Sequence, residues 1–252
     1  MTTITTALIL SSHGTPALSA PSPRSPAVQT ATVPVRDLLP RNPNSYFLKP
    51  KDVVLFLGNS ITAGAKPEID FIQADLQKQY PDLADGSNAV TFLLSGIPGE
   101  QAVQGKERVK ALIAQHKPTV CVICYGTCEV TFKKEEGYIP AMKEIIHEMK
   151  DANVQVVIVS PPPPFAKNWM QSWPASQFEE GIPKMVSQAY QLTCEECLLY
   201  VNAYQAISNE VTKTGGKFTT DGIHLTTDGY RIMAQVLQSA WSFGRPVSKN
   251  AN

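Results

Sequence analysis

The sequence predicts a three-layer α/β fold in which helices cover both faces of a five-stranded parallel sheet. Five short runs of the chain are continuously apolar rather than alternating, and longer segments with apolar residues at helical spacing are interspersed with them. Continuously apolar strands are typical of sheets that are covered on both faces. Strands that alternate with helices along a chain indicate parallel pairing through right-handed crossovers.

The predicted elements follow one another in a regular order. Five segments are predicted as strands because they are apolar throughout: DVVLFLGNS (52–60), AVTFLLSG (89–96), TVCVICYG (119–126), VQVVIVSPP (154–162) and LLYVNA (198–203). Five segments are predicted as helices because their apolar residues recur at helical spacing: residues 67–79, 101–117, 138–152, roughly 178–193, and 226–243. No repeat of fixed period accompanies these elements.

The composition divides the chain into one folded domain and two terminal segments. With 252 residues, of which 43% are hydrophobic, the chain can bury one sizeable core. Residues 1–20 have the apolar patch and the small-residue end of a secretory signal but no Lys or Arg, and residues 16–43 have the composition of an extended linker. We therefore expect a leader and linker over 1–45, a folded domain over 46–245 and a tail over 246–252. The leader favours a secreted or periplasmic location over a cytoplasmic one.

The charge balance gives no sign of a macromolecular partner. Lys plus Arg and Asp plus Glu number 22 each, so no basic field would attract nucleic acid. No apolar run approaches the roughly 18 residues that a membrane-spanning helix needs. We expect no nucleic-acid partner and no membrane span, and the sequence does not predict the oligomeric state.

Four of the five cysteines form two C-x2-C pairs, a spacing that is found in zinc sites and redox dithiols. Cys121 and Cys124 lie in a predicted buried strand, where residues three apart point to opposite faces, so we expect core thiols. Cys194 and Cys197 could form a local disulfide or remain free, depending on the compartment.

The predicted strands place polar and small residues at one edge of the sheet. In open parallel sheets ligands bind beyond the carboxyl ends of the strands. Four predicted strands end in groups that suit such a cleft: Gly58-Asn59-Ser60, Ser95-Gly96, Gly126-Thr127-Cys128 and Ser160-Pro161.

Ser60 is either a nucleophile or the N-cap of the next helix, since both roles place a serine between a strand and a helix. A nucleophilic serine needs a base. Of the four histidines, His13 lies in the leader, and His116 and His147 lie in helical stretches beside lysines. His224 is the best candidate, because it lies in a polar loop before the last helix.

Asp221 stands three residues before His224. On one turn, this spacing can bring the carboxylate to one ring nitrogen while the other nitrogen faces a serine. The alternative is that Asp221 only caps a turn and that His224 only precedes a helix.

Taken together, GNSITAG (58–64), a glycine after the second strand, the Gly-x-x-Glu turn after the third and DGIHLTTDGY (221–230) resemble the blocks of the SGNH, or GDSL-type, hydrolases over residues 50–243. The resemblance implies a flavodoxin-like fold and an esterase, lipase or carbohydrate deacetylase activity. It implies a catalytic triad of Ser60, Asp221 and His224, and no metal or organic cofactor. It also implies an oxyanion hole at Ser60, Gly96 and Cys128.

Two residues depart from the family pattern. Asn59 replaces the usual aspartate, which keeps hydrogen-bonding capacity without the charge. Cys128 replaces the usual asparagine, so that a weak thiol donor stands where the family has an amide donor. Because two backbone donors would remain, we expect a slowed enzyme and not an inactive one.

The segment SPPPPFAKNWMQSWPASQF (160–178) carries more aromatic residues than a connector needs. Phe165, Trp169 and Trp173 are candidates for binding a sugar ring or an acyl group, or they only fold the loop onto the core. We expect a small-molecule or carbohydrate ester as substrate, with a short acyl chain such as acetyl. Two other functions stay open: a glycan-binding or acyl-binding protein with weakened catalysis, and a thiol protein that uses Cys194 and Cys197.

Overall fold

The computed structural model describes residues 47–242, apart from the Asn168 side chain. The predicted leader and linker over 1–45 and the predicted tail over 246–252 lie outside these residues. The described chain forms one five-stranded sheet with the order β2-β1-β3-β4-β5, in which every pair is parallel. The strands are β1 (Val53–Gly58), β2 (Thr91–Gly96), β3 (Val120–Cys124), β4 (Gln155–Val159) and β5 (Leu199–Val201). The predicted fold class is therefore confirmed.

Nine α-helices accompany the sheet within residues 47–242. They are α1 (Ser60–Ala63), α2 (Lys66–Gln79), α3 (Pro81–Ala84), α4 (Ala102–His116), α5 (Thr127–Phe132), α6 (Tyr138–Asp151), α7 (Ala175–Glu196), α8 (Ala203–Thr214) and α9 (Thr227–Trp241). Helices α2 and α8 pack against α9, whereas α4 and α7 pack against α6. None of these helices is long and apolar enough to cross a bilayer.

The strand order explains both the layers and the position of the cleft. The chain moves from β1 to β2 in one direction and from β2 through β3 to β5 in the other. Right-handed crossovers in opposite directions place their helices on opposite faces of the sheet. The reversal makes β1 and β3 adjacent strands whose connections diverge, and this is where an open α/β sheet forms its binding crevice.

The long elements agree with the predicted ones except near β5, while the short helices α1, α3 and α5 were not predicted. The run predicted as a strand over 198–203 contains only three strand residues, and α8 was not predicted. Helix α8 begins at Ala203, inside the run that was predicted as a strand, although its apolar residues Ala203, Ile207 and Val211 recur at helical spacing. Its start is nevertheless marked in the sequence by Asn202, whose side chain accepts a hydrogen bond from the Gln205 N–H over 2.9 Å.

The core lies around β1 and β3, whose residues are almost all buried. Cys121 and Cys124 are free thiols inside it, which confirms the prediction of core cysteines. Within the core, the fully buried rings of Phe47 and Trp241 stack with centroids 6.1 Å apart, and this contact ties the start of the described chain to the last helix. A cover of helices on both sides of the sheet thus holds the strand ends in fixed positions.

Candidate active site

Ser60 is the first residue of α1, directly beyond the carboxyl end of β1. The cap of this helix is Asn59, whose Oδ1 accepts a hydrogen bond from the Ile61 N–H over 3.0 Å. Because Asn59 satisfies this amide, the Ser60 hydroxyl is available for another contact. The structure therefore separates the two roles that the sequence left open for this turn.

The turn between β1 and α1 is tightly packed. A Cβ atom on Gly58 would lie 2.2 Å from Thr62 Oγ1 and 2.4 Å from the Cys124 carbonyl oxygen, so no larger residue fits there. From α9, the Tyr230 hydroxyl donates to the Ile61 carbonyl over 2.8 Å. These contacts hold the short helix, and with it Ser60, against β3 and α9.

Asp221 and His224 lie on one turn before α9. Asp221 Oδ1 accepts the N–H groups of Ile223 and His224 at 3.0 and 2.8 Å. Asp221 Oδ2 lies 2.7 Å from His224 Nδ1. The carboxylate therefore performs both roles considered for it, because one oxygen shapes the turn and the other orients the imidazole ring.

The other ring nitrogen of His224 reaches the serine. His224 Nε2 lies 3.0 Å from Ser60 Oγ, although the two residues are 164 positions apart. The His224 side chain is 43% exposed, so the ring borders solvent and a substrate could reach it. Burial opposes ionisation of Asp221, but the hydrogen bonds from His224 and from the turn outweigh it and hold the pKa of Asp221 below its ordinary value. Hydrogen-bonding contacts therefore link the Asp221 carboxylate to the His224 ring and the His224 ring to the Ser60 hydroxyl.

Gln171 is a further contact of this group that the sequence did not reveal. Its Nε2 donates to Asp221 Oδ2 over 2.7 Å, beside the bond from His224. The same loop donates from Met170 N to the Asp221 carbonyl at 3.0 Å and from Phe165 N to the Gly222 carbonyl at 2.9 Å. The 160–178 segment therefore braces the turn that carries Asp221.

Gly96, at the end of β2, lies against the nucleophile helix. A Cβ atom at this position would lie 2.1 Å from Ala63 N, so only glycine permits this approach. The register pairs Gly96 with Gly58, two residues before Ser60. Gly96 therefore permits close packing of β2 against the nucleophile helix, but because the Ile97 N–H donates to the Gly58 carbonyl over 3.0 Å, the Gly96 N–H points away from β1 and from Ser60.

Cys128 lies in the first turn of α5, beyond β3, with only 5% of its surface exposed. Burial raises the pKa of its thiol to about 12; the Glu129 carboxylate adds to this rise, and the Gly99 N–H and the Asn59 amide oppose it. The Cys128 thiol is therefore protonated at neutral pH. It lies beside Asn59, the residue that precedes Ser60. Asn59 Nδ2 is buried beside this thiol.

The three aromatic candidates are partly buried against the core. The Trp169 ring lies 4.9 Å from that of Phe178, and its Nε1 donates to the Trp173 carbonyl over 2.7 Å. Trp173 in turn meets the ring of Phe132, which is 46% exposed, at 6.3 Å. Trp169 thus has a role in folding the loop, while Trp173 and Phe132 reach the surface as a pair.

Two other predicted features lie away from this cluster. Ser160 was expected in the cleft, but it is fully buried and its Oγ accepts the Tyr204 N–H over 3.0 Å, so it caps α8. Cys194 and Cys197 are free and exposed at the end of α7. Among the residues that the structure describes, no group of three or more His, Cys, Asp or Glu side chains is arranged to hold a metal ion.

Solved structures share this fold at low sequence identity. A GDSL-like lipase from Parabacteroides merdae aligns with a TM-score of 0.66 and 19% identity, covering 79% of this chain and 99% of that one. An acetylxylan esterase from Geobacillus stearothermophilus, solved as a catalytic mutant, aligns at 0.64 and 19%, covering 80% and 99%. The acetyl xylan esterase AlAXEase aligns at 0.62 and 20%, covering 75% and 98%. A comparison with curated protein sequences gave no match.

The sequence itself identifies the family. The profile of the GDSL-like Lipase/Acylhydrolase family matches residues 56–232, from inside β1 to inside α9. This match spans well over half of the chain and includes every strand end described above. The protein therefore belongs to the GDSL-like lipase/acylhydrolase family, the SGNH hydrolases, and is a carboxylic ester hydrolase.

Proposed function

We propose that the protein is a serine esterase that removes short acyl groups, in particular acetyl, through an acyl-enzyme intermediate. Ser60 is the nucleophile, His224 the general base and Asp221 the carboxylate that orients it. The observation that carries the proposal is the continuous chain of contacts from Asp221 Oδ2 through His224 to Ser60 Oγ, at 2.7 and 3.0 Å.

The first half of the reaction forms the acyl-enzyme. With its proton on Nδ1, His224 donates to Asp221 and accepts the hydroxyl proton of Ser60 at Nε2 as Ser60 Oγ attacks the ester carbonyl. The oxyanion of the tetrahedral intermediate accepts hydrogen bonds from the Ser60 N–H and from the loop after β2, where the Gly99 N–H points toward the Cys128 thiol. Cys128 stands at the third donor position and contributes little, because a thiol is a weak donor.

The second half releases the acid. Protonated His224 returns its proton to the leaving alcohol and then accepts one from water, which attacks the acyl-enzyme. Asp221 stays ionised throughout, in keeping with its lowered pKa and its set of hydrogen-bond donors. The positive charge that develops on His224 is thereby stabilised at the moment of proton transfer.

Acetyl groups on carbohydrates are the substrate class that we propose. The solved acetylxylan esterases share this fold, and the partly exposed pair of Trp173 and Phe132 could stack on a sugar ring. Small-molecule or carbohydrate esters would then be the ligands of the cleft.

The test compares the protein with Ser60→Ala on p-nitrophenyl acetate, butyrate and octanoate, and on acetylated xylan. Ser187→Ala, which alters an exposed serine of α7, is the matched control. We expect activity on the acetate ester that Ser60→Ala abolishes and Ser187→Ala retains, with lower kcat/KM on octanoate. Equal rates in the parent and Ser60→Ala would contradict a serine mechanism and favour a binding protein. A parent that hydrolyses p-nitrophenyl acetate but not acetylated xylan would contradict only the proposed substrate class.

A further inference from the structure

Glu129 follows Cys128 in α5, and both oxygens of its carboxyl group accept backbone hydrogen bonds. Oε1 accepts the Ala102 N–H over 2.6 Å, and Oε2 accepts the Gly126 N–H over 2.8 Å. Glu129 is only 1% exposed, so water does not compete for either bond. Gly126 lies in the turn from β3 into α5, whereas Ala102 begins α4, after the loop that follows β2. One side chain therefore joins two loops, although Ala102 lies 27 positions before Glu129.

These two loops carry the second and third donor positions of the proposed oxyanion hole. The Gly99 N–H, in the loop after β2, points toward the Cys128 thiol, one residue before Glu129. A Cβ atom on Gly99 would meet no atom of residues 47–242 within 4 Å, so this side of the loop is open. The separation between the Gly99 N–H and the side chain at position 128 therefore depends on how the two loops are held together.

A second buried carboxylate links the same loops in the reverse direction. Glu100, the residue after Gly99, accepts a hydrogen bond from the Tyr125 hydroxyl over 2.7 Å, and Tyr125 directly precedes Gly126. From α4, Arg108 donates to both oxygens of Glu100 over 2.6 Å and fixes the carboxylate. The Glu100 side chain is only 4% exposed. Each loop thus binds the other through a carboxylate, and the loops cannot move apart without breaking buried hydrogen bonds.

We propose that Glu129 is a positioning residue of the oxyanion hole, which, together with the reciprocal link of Glu100, sets the distance between the Gly99 N–H and the side chain at position 128. An oxyanion is stabilised by donors that lie about 2.7 to 3.1 Å from it and need no rearrangement when the charge develops. The negative charge of Glu129 would by itself disfavour a nearby oxyanion, so its contribution comes from its two hydrogen bonds. The inference rests on the proposed function, because it assumes that the loop after β2 donates to the oxyanion.

The decisive variant is Glu129→Gln, which keeps the size of the side chain but replaces one acceptor oxygen with an NH2 group. One of the two backbone N–H groups then loses its partner, and the link between the loops weakens. We expect kcat on p-nitrophenyl acetate to fall by about 10-fold at unchanged KM, which is less than the outright loss of an oxyanion donor would cause. Methylboronic acid, which forms an anionic tetrahedral adduct with a serine, should bind more weakly by a similar factor. Glu179→Gln, on the exposed side of α7, is the matched control and should keep the parental kcat.

The sign of the change separates positioning from two other roles of a buried carboxylate. If Glu129 acted only through its charge, Glu129→Gln would remove a repulsion and kcat would rise. If Glu129 only stabilised the fold, Tm would fall while kcat and the boronate affinity, measured well below Tm, stayed parental. Either result would overturn the proposal.

Tyr125→Phe tests the reciprocal link without altering Glu129, and it carries the test if Glu129→Gln does not fold. It removes the hydroxyl that donates to Glu100 and leaves the ion pair with Arg108 in place. We expect kcat to fall severalfold at constant KM, and a parental kcat and boronate affinity would overturn the proposal. If the parent and Ser60→Ala hydrolyse equally, the proposed function fails and this inference fails with it. Ser60-dependent activity that both loop variants retain in full refutes the inference alone.

Discussion

Glu68 is a carboxyl group that the proposed mechanism does not use and that carries a cost in stability at high pH. It lies in the first turn of α2, only 2% exposed, beside a cavity of about 10 Å³ that Thr62 and Cys124 also line. Burial raises the pKa of Glu68 from 4.5 to about 8. Burial raises the pKa values of the nearby Cys124 thiol and Tyr230 hydroxyl, and the Glu68 charge adds to both rises. Glu68 is therefore protonated in the folded protein at neutral pH.

The sign of the effect follows from the two states. In the unfolded chain Glu68 loses its proton near pH 4.5, whereas in the folded protein it keeps the proton to about pH 8. Between these values the unfolded state binds fewer protons, so the free energy of unfolding falls as the pH rises and levels off above the folded pKa. At about 1.4 kcal/mol for each pH unit, this residue lowers the free energy of unfolding by about 3 to 5 kcal/mol between pH 4.5 and pH 9.

The perturbation is Glu68→Gln, which keeps the shape of the protonated side chain and cannot ionise. We expect the variant to match the parent within about 1 kcal/mol at pH 5 and to be more stable by about 3 to 5 kcal/mol at pH 9. The assay is urea denaturation at pH 5, 7 and 9. Asp70→Asn is the matched control, since Asp70 lies two residues along the same helix with a half-exposed side chain. Parallel pH dependences for the parent and Glu68→Gln would refute the reasoning.

Two further predictions concern the active site. Gln171→Leu removes one of the donors to Asp221 Oδ2. Because a hydrogen bond to a charged group is worth about 1.5 kcal/mol or more, we expect kcat to fall about 10-fold with KM unchanged. Steady-state kinetics on p-nitrophenyl acetate measure this, with the exposed Gln191→Leu as control, and a Gln171→Leu variant as fast as the parent would contradict the prediction. Cys128→Asn restores an amide donor at the third oxyanion position, so kcat should rise, by up to about 100-fold if the amide reaches the oxyanion. Cys128→Ala should leave kcat nearly unchanged, and an asparagine variant no faster than the parent would show that the thiol does not limit turnover.

Most of the fold could be predicted because the sheet is covered on both faces. Strands such as β3, whose five residues are all buried, must be apolar throughout, and this is visible without any knowledge of their partners. Helix α8 escaped prediction because its first residue, Ala203, ends an apolar run that was read as a strand; the helical period of Ala203, Ile207 and Val211 was present in the sequence. Ser160 was assigned to the cleft because strand ends share a composition, and only its contact with the Tyr204 N–H reveals a capping role.

The sequence by itself determined the local parts of the site. A serine directly after a buried strand and an aspartate three residues before a histidine are short-range patterns, and the turn at Asp221 closes with its own carboxylate. Only the tertiary structure decided which of these parts meet. The contact of His224 with Ser60 joins residues 164 positions apart, and that of Gln171 with Asp221 joins different elements. Such contacts depend on strand order and helix packing, which arise from burial across the whole domain and leave no local pattern at either partner.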